Sequence, residues 1–368
     1  MTHTDPRQDY DRLREEGLTR RDDAWVACRY ADVAAIAKAD DRFSSAVSRF
    51  LQVPNGLDGA EHARMRQIID PFFSAERMAA LEPVISEVAR ELVGRLDRGT
   101  VFNAVTEFGA RFAVRAQSRW LGWPHESEHA LLAWMAENHE ATRSGELART
   151  AAVAQRFDEI IMGIVEPRLS GARPRTGDVT DELIDVLRDE PDFKPTLVSV
   201  LRNWTGGDLG SIALCVGVIV HWLATHPEHI GAFRGLPDEQ LDRAIDEILR
   251  IDDPFVSNRR VAAVDTEVDA MLIHAGERVI VNWTGANRDP AVFGDPDRFD
   301  PQHNAEHNLV YGTGVHVCPG RPLATLELRV AIRALLNGVS QIRLSDDIPA
   351  ERAQPPIGGF TVVPVIVS

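Results

Sequence analysis

One stretch constrains this chain more than any other: Tyr311-Gly-Thr-Gly-Val-His-Val-Cys-Pro-Gly-Arg321, a single cysteine, Cys318, among glycines at 312, 314 and 320. Glycine lets a backbone take φ > 0 and approach another group closely, so such a loop turns its amides toward one atom. The residues from Pro322 to Leu336 carry apolar positions at helical spacing, with the proline in the first turn. A cysteine just ahead of a helix N-terminus lies in positive potential, which favours the thiolate, the form that binds metals. An isolated cysteine is most often a small buried hydrophobe. The neighbours of Cys318 argue otherwise.

Nothing divides the 368 residues: no Gly/Ser/Pro-rich linker, no low-complexity block and no internal repeat. The expectation is one domain over 1–368. Lys and Arg number 40 against 56 Asp and Glu, a net charge of −16, which excludes a general nucleic-acid binder. Cys28, Cys215 and Cys318 lie too far apart for a zinc pattern or disulfide framework, as suits a reducing cytoplasm. The N-terminal residues lack the apolar core of a signal peptide, and the longest apolar run, Ile212 to Val220, is too short to span a bilayer. A cytoplasmic protein with no membrane partner is expected.

Along the chain, the spacing predicts helices over 5–17 and 32–38 around a strand-like piece at 24–30. Between Ser45 and Asp58 lie only about a dozen residues. His62 and Arg66 stand at i and i+4 on one helix face, by default a solvated pair. Met78, Leu81, Ile85, Val88 and Leu92 mark a core-facing stripe. Helices are predicted over 102–122, 125–142 and 148–168. Residues 196–225 form the longest apolar helical pattern, and Gly206, Gly207 and Gly210 within it imply a kink or a close approach to a ligand. Glu247 and Arg250 stand at i and i+3, a pair usually found at a surface.

Taken together, these segments resemble one family. The loop is similar to the cysteine-ligand signature of the cytochrome P-450 family, the haem-thiolate monooxygenases: aromatic-Gly-x-Gly-x-His-x-Cys-x-Gly, then Leu-Ala and Glu. In this chain the pattern is made by Tyr311, Gly312, Gly314, His316, Cys318, Gly320, Leu323, Ala324 and Glu327. Tyr311 stands where phenylalanine is usual, and Pro319 is uncommon after the cysteine. The His62-x-x-x-Arg66 pair, Glu247-x-x-Arg250, Arg260, the 287–299 segment and the tail 355–360 follow in the family's order.

The resemblance implies a mainly α-helical domain with small β-sheets, binding haem b (iron protoporphyrin IX) with Cys318 as axial ligand. It assigns His62, Arg66, Arg260 and His316 to the haem propionates. It places Asn203, Trp204, Gly207, Phe255, Val256, Ser257 and Ile357 around the substrate, whose aromatic neighbours hint at an apolar or aromatic molecule. The segment between Ser45 and Asp58, which usually covers the cavity in this family, is short, implying an open pocket or a lid supplied from elsewhere. On the long helix the family carries small-Gly-x-acid-Thr. Counting back from Pro227 puts Ser211 at the threonine and Gly210 at the acid, with Asp208 at the glycine. The hydroxyl is kept and the acid displaced, so proton delivery falls to Asp208 and Ser211. The implied reaction is oxidation of a small organic substrate with dioxygen, using electrons from a ferredoxin and ferredoxin reductase or an equivalent. Arg321 and Arg329 offer a docking patch, or ordinary surface charge. The displaced acid leaves two alternatives: an oxidative coupling or peroxide-using enzyme, and a non-catalytic haem protein that binds a ligand.

Overall fold

Residues 5–368 are described by a computed structural model. The helices are α1 (Arg7–Glu16), α2 (Tyr30–Lys38), α3 (Gly59–Ile69), α4 (Ala75–Gly94), α5 (Ala110–Leu121), α6 (Glu128–Ser144), α7 (Leu147–Leu169), α8 (Val179–Leu187), α9 (Phe193–Thr225), α10 (Ile230–Arg234), α11 (Asp238–Ile251), α12 (Trp283–Asn287), α13 (Pro290–Phe293) and α14 (Arg321–Gly338). The strands are β1 (Thr19–Arg21), β2 (Ala24–Ala27), β3 (Phe43–Ser44), β4 (Val101–Asn103), β5 (Ser257–Ala262), β6 (Thr266–Val268), β7 (Met271–Ile273), β8 (Arg278–Asn282), β9 (Ile342–Leu344), β10 (Glu351–Arg352), β11 (Phe360–Val362) and β12 (Pro364–Val367). The largest sheet runs β1-β2-β8-β5-β3, with β2 parallel to β8 and the other pairs antiparallel. A mainly helical fold with small sheets is what the resemblance implied.

Helix ends follow local chemistry. Ser74 accepts from the Arg77 amide to start α4, Asp178 from that of Asp181 to start α8, and Gly122 closes α5 in the left-handed conformation. One predicted boundary was wrong: residues 101–103 are a strand, paired to β12, before a π-helical turn leads into α5. The alternation of Val101 and Phe102 is too short to separate from a helix by periodicity.

The helix α9 is central and unbroken, packing against α5, α7 and α14. The glycines therefore do not end it. A Cβ on Gly206 would lie 3.2 Å from the Phe157 ring, so that glycine lets α7 close in, whereas Gly207 and Gly210 face open space. By length and composition α9 is apolar enough to cross a membrane, which the run Ile212–Val220 alone did not suggest; 56% of its most apolar window is buried within the chain, as in a core helix.

Candidate active site

The cysteine loop owes its shape to two glycines at positive φ, 72° at Gly312 and 76° at Gly314. A Cβ on Gly314 would sit 2.5 Å from the Ala37 carbonyl, so only glycine lets the loop press on the end of α2. The Cys318 amide donates to the Tyr311 carbonyl at 3.0 Å, closing the loop on itself. The amides of Gly320 and Arg321, at the start of α14, donate to the Cys318 sulfur. Burial pushes the thiol up from its ordinary range, and those amides and the Arg66 guanidinium oppose it. Proline at 319 removes one amide, yet the next two are in place.

Cys318 is accessible from a cavity of about 280 Å³. Asn203, Trp204, Gly207, Asp208 and Ser211 of α9 line the same cavity, as do Phe255, Arg260 and His316. Val256 does not: its side chain is buried toward the last hairpin, where a Cβ on Gly358 would meet it at 3.0 Å. Ser257 and Ile357 are also not among the lining residues. Ser257 opens β5, and Ile357 is held in a turn by its amide donating to Gln354. The family resemblance pointed to these segments, but not to the face each residue presents.

Of the four polar groups expected to converge, two face the cavity. Arg260 is buried, and its guanidinium bonds only the Arg259 carbonyl, at 2.9 Å. Both ring nitrogens of His316 are buried and unpartnered, with Asp58 at 3.6 Å. Burial, then His62 and Arg260, lower the His316 pKa to about 4. His62 stands behind it, ring to ring at 4.2 Å. Arg66 is turned away from the cavity: it holds the carbonyls of Val315 and Val317 at 3.1 and 3.0 Å and pairs with Asp70 at 2.6 Å. Its i+4 partner, Asp70, and two loop carbonyls satisfy it locally.

An acid pair lies at the wall of this cavity, Asp208 in the lining and Glu327 buried behind it. Asp208 accepts from the Gln117 side chain of α5 and is hydrogen-bonded to Glu327 of α14. Burial pushes Asp208 up to about 6, against the bonds from Gln117 and Glu327. Glu327, fully buried, is pushed well above the carboxylate range by burial and by Asp208, so Glu327 holds the proton and donates it to Asp208. Gln117 gave no sequence signal. Glu327 belonged to the loop signature, with nothing to reveal its contact with Asp208.

Comparison with known proteins decides what this arrangement is. A sequence model described as cytochrome P-450 matches residues 239–347, which take in Glu247, Arg250, Arg260 and Cys318. The chain is 31% identical to a vitamin D3 dihydroxylase of Streptomyces griseolus, over 86% of this chain and 78% of that one. It is 30% identical to the mycinamicin IV hydroxylase/epoxidase of Micromonospora griseorubida, over 88% and 84%. The chain belongs to the cytochrome P-450 family. The crystal structure of the LnmA cytochrome P-450 hydroxylase of Streptomyces atroolivaceus, from the leinamycin biosynthetic pathway, superposes with a TM-score of 0.80 at 28% identity, covering 99% of this chain and 96% of that one. An EryK mutant bound to erythromycin B shares the fold, with a TM-score of 0.86 at 24% identity, over 98% and 95%.

It is thus a haem b monooxygenase, a cytochrome P-450 that needs redox partners, substrate and dioxygen. The residues present fit an iron porphyrin. A thiol faced by two amides and a cavity lined by the open glycine Gly207 suit the metal and ring, and the unpartnered His316 nitrogens and the cavity-lining Arg260 guanidinium suit its carboxylates. The Glu247–Arg250 pair of this P-450 is interior. Arg250 bonds both Glu247 oxygens at 2.8 and 2.9 Å and the carbonyls of Asn287, Pro296 and Arg298. Glu247 in turn accepts from the Asp300 amide and the Asn304 side chain. This network fixes the chain that leads into the cysteine loop. Arg329, expected as a docking residue, is tied to Glu82, Asp238 and Asp242 and is only 14% exposed in its side chain; Arg321 remains over half exposed.

Proposed function

We propose that the chain acts as one cytoplasmic haem-binding unit in which the Cys318 thiolate is the axial ligand. In this reading it oxidises a small apolar or aromatic molecule with electrons from a ferredoxin and its reductase or an equivalent pair. The observation that carries the reading is the Cys318 sulfur, faced by the amides of Gly320 and Arg321 and open to the cavity. Bound haem supplies oxygen activation at iron under a thiolate. Arg260 and His316, with His62 behind, hold the propionate carboxylates. Arg66 acts through the loop, its guanidinium fixing the carbonyls two positions apart that precede Cys318. Asp208, supplied by the Glu327 proton, and the Ser211 hydroxyl one turn on handle protons. Asn203, Trp204, Gly207 and Phe255 form the substrate walls; Val256, Ser257 and Ile357 support them from outside the cavity.

A second reading has one observation in its favour. Asp208 is bound to Gln117 and Glu327, and Gly210 occupies the usual acid position, which suits oxidative coupling or peroxide use. Turnover with hydrogen peroxide alone, matching that with reductase partners, selects it. The ligand itself is tested by the reduced, carbon monoxide-bound protein. Its Soret band will be red-shifted as a thiolate requires, and Cys318→Ser will lose that band. Persistence of the band in the variant overturns the assignment.

A further inference from the structure

The turn after α11 holds a carboxyl group that neither the haem site nor the proton path uses. Of the two consecutive acids there, Asp252 is engaged, paired with Arg352 at 2.5 Å. Asp253 is not. It is 2% exposed and lines the cavity that contains Cys318. One of its oxygens accepts from the Phe255 amide at 2.8 Å, while the other is buried with no partner. The far side of the turn is closed by the last hairpin: the Gly358 amide donates to the Pro254 carbonyl at 2.9 Å, and a Cβ on Gly358 would lie 2.4 Å from the Asp253 carbonyl. No room for a side chain is left there.

No cation among the described residues satisfies this carboxyl. The same turn offers only Asp252, of the same sign, and α9 presents the half-buried Cys215 thiol. Farther along α9, His221 is stacked on Phe360 at 4.1 Å, and burial lowers its pKa to about 4, so it is neutral. Arg352, from β10, is taken by Asp252 and by Asp5. Arg260, the one arginine lining the cavity, belongs to the proposed propionate site. Burial and Asp252 hold Asp253 well above the carboxylate range, protonated until a counter-charge arrives.

Resting on the proposed function, we propose that Asp253 is the recognition point for a substrate bearing a positively charged nitrogen on a small apolar or aromatic frame. The sign follows from the cavity. Asp253 stands in the cavity lining with one buried oxygen unpartnered and no cation beside it, so a charged nitrogen can pair with it where an anion cannot. Phe255 in the same lining is exposed and offers a ring face, which attracts cations as well as apolar groups. Binding is coupled to a proton: as the cation pairs with the carboxylate, the Asp253 proton leaves to solvent. A neutral ligand with a carbonyl would show the reverse, accepting from the protonated acid and binding best at low pH.

The test uses the haem-loaded protein, its carbon monoxide band verified first. Absence of that band defeats the parent reading whatever Asp253 does. The probes are benzyltrimethylammonium, which has no lone pair to ligate iron, and its neutral isostere neopentylbenzene, titrated by calorimetry. The cation will bind about tenfold tighter than the isostere at alkaline pH, and the preference will shrink at acidic pH as protons compete. Asp253→Asn will lose the preference and keep the affinity for neopentylbenzene. A wild-type protein without preference, or an Asn variant that retains it, overturns the proposal. Should the variant fail to hold haem, the wild-type profile decides alone: a preference that does not change between alkaline and acidic pH also overturns it.

Discussion

At Pro319 the chain gives up an amide that would point at the ligand sulfur, because proline has no N–H. The amides of Gly320 and Arg321 nevertheless reach Cys318. The thiolate thus keeps two donors, and a third adds to a charge already partly stabilised. Hydrogen bonds to a ligand sulfur draw density from the iron and raise the potential. Pro319→Leu, which restores a donor, will therefore raise the haem potential modestly in a redox titration, and an unchanged or lowered potential rejects this role for the proline. Cys318 and His316 stood out in the sequence because short-range pattern singles them out, the glycines setting the loop that carries them, whereas Arg260, on a strand, was pointed to only by the family resemblance. Gln117, Asp208 and Glu327 were not legible as a group. They come from α5, α9 and α14, and only packing of the three helices brings them within hydrogen-bond reach. The same holds for Arg66, whose helix position was read correctly while its direction was not.

Two elements define the roof of the cavity. The segment 45–58, whose shortness implied an open pocket or a lid from elsewhere, forms no helix. It is instead pinned to the first half of α9. Val53 donates its amide to Ser199 at 2.8 Å and accepts from the Asn203 side chain at 2.7 Å, and Leu51 accepts from Ser199 and Arg202. Pro54 and Asn55 line the cavity as a result. So the short segment is itself the cover, and α9 holds it with polar side chains that the apolar helical pattern masked. Asn203 belongs to both roles, cavity wall and fastening. Asn203→Ala removes one largely buried bond, about 1 kcal/mol, and leaves the Val53 carbonyl unpaired. Limited proteolysis will cut faster between 45 and 58 in that variant, while α9 elsewhere stays protected. Equal cutting rates show the segment to be held by packing alone. Overall architecture was the most legible layer, since the family resemblance of several motifs in order implied it and helical periodicity placed the longer helices. The strand at 101–103 was missed because its pairing with β12 joins parts of the chain far apart in sequence.

Over the whole molecule, proton linkage ties the proximal packing to stability. Asp246, on α11, is pushed from 3.8 up to about 7, chiefly by burial and further by Asp242, against Arg321 and a hydrogen bond from Tyr311. Tyr311 in place of phenylalanine thus has a partner that the loop signature could not reveal. The folded chain keeps the Asp246 proton through a range where the unfolded chain releases it, so stability falls as pH rises from about 4 to about 7 and levels above. Other groups act differently. Asp5, Asp181 and Asp297 are held below the usual carboxylate range and cost stability only at lower pH. His221 and His316, lowered to about 4, reduce stability as pH falls below the ordinary histidine value, a slope of opposite sign in the same window. The wild-type profile is consequently a partial cancellation, and one substitution is needed to separate it. Asp246→Asn keeps an acceptor for Tyr311 and removes the titration. Its melting temperature relative to wild type will climb steadily between about pH 4 and pH 7 and then stay level, with a ceiling of roughly 4 kcal/mol set by the size of the shift. Parallel melting curves for the two proteins across that range would mean that Asp246 remains ionised in the fold, with Arg321 and Tyr311 outweighing burial.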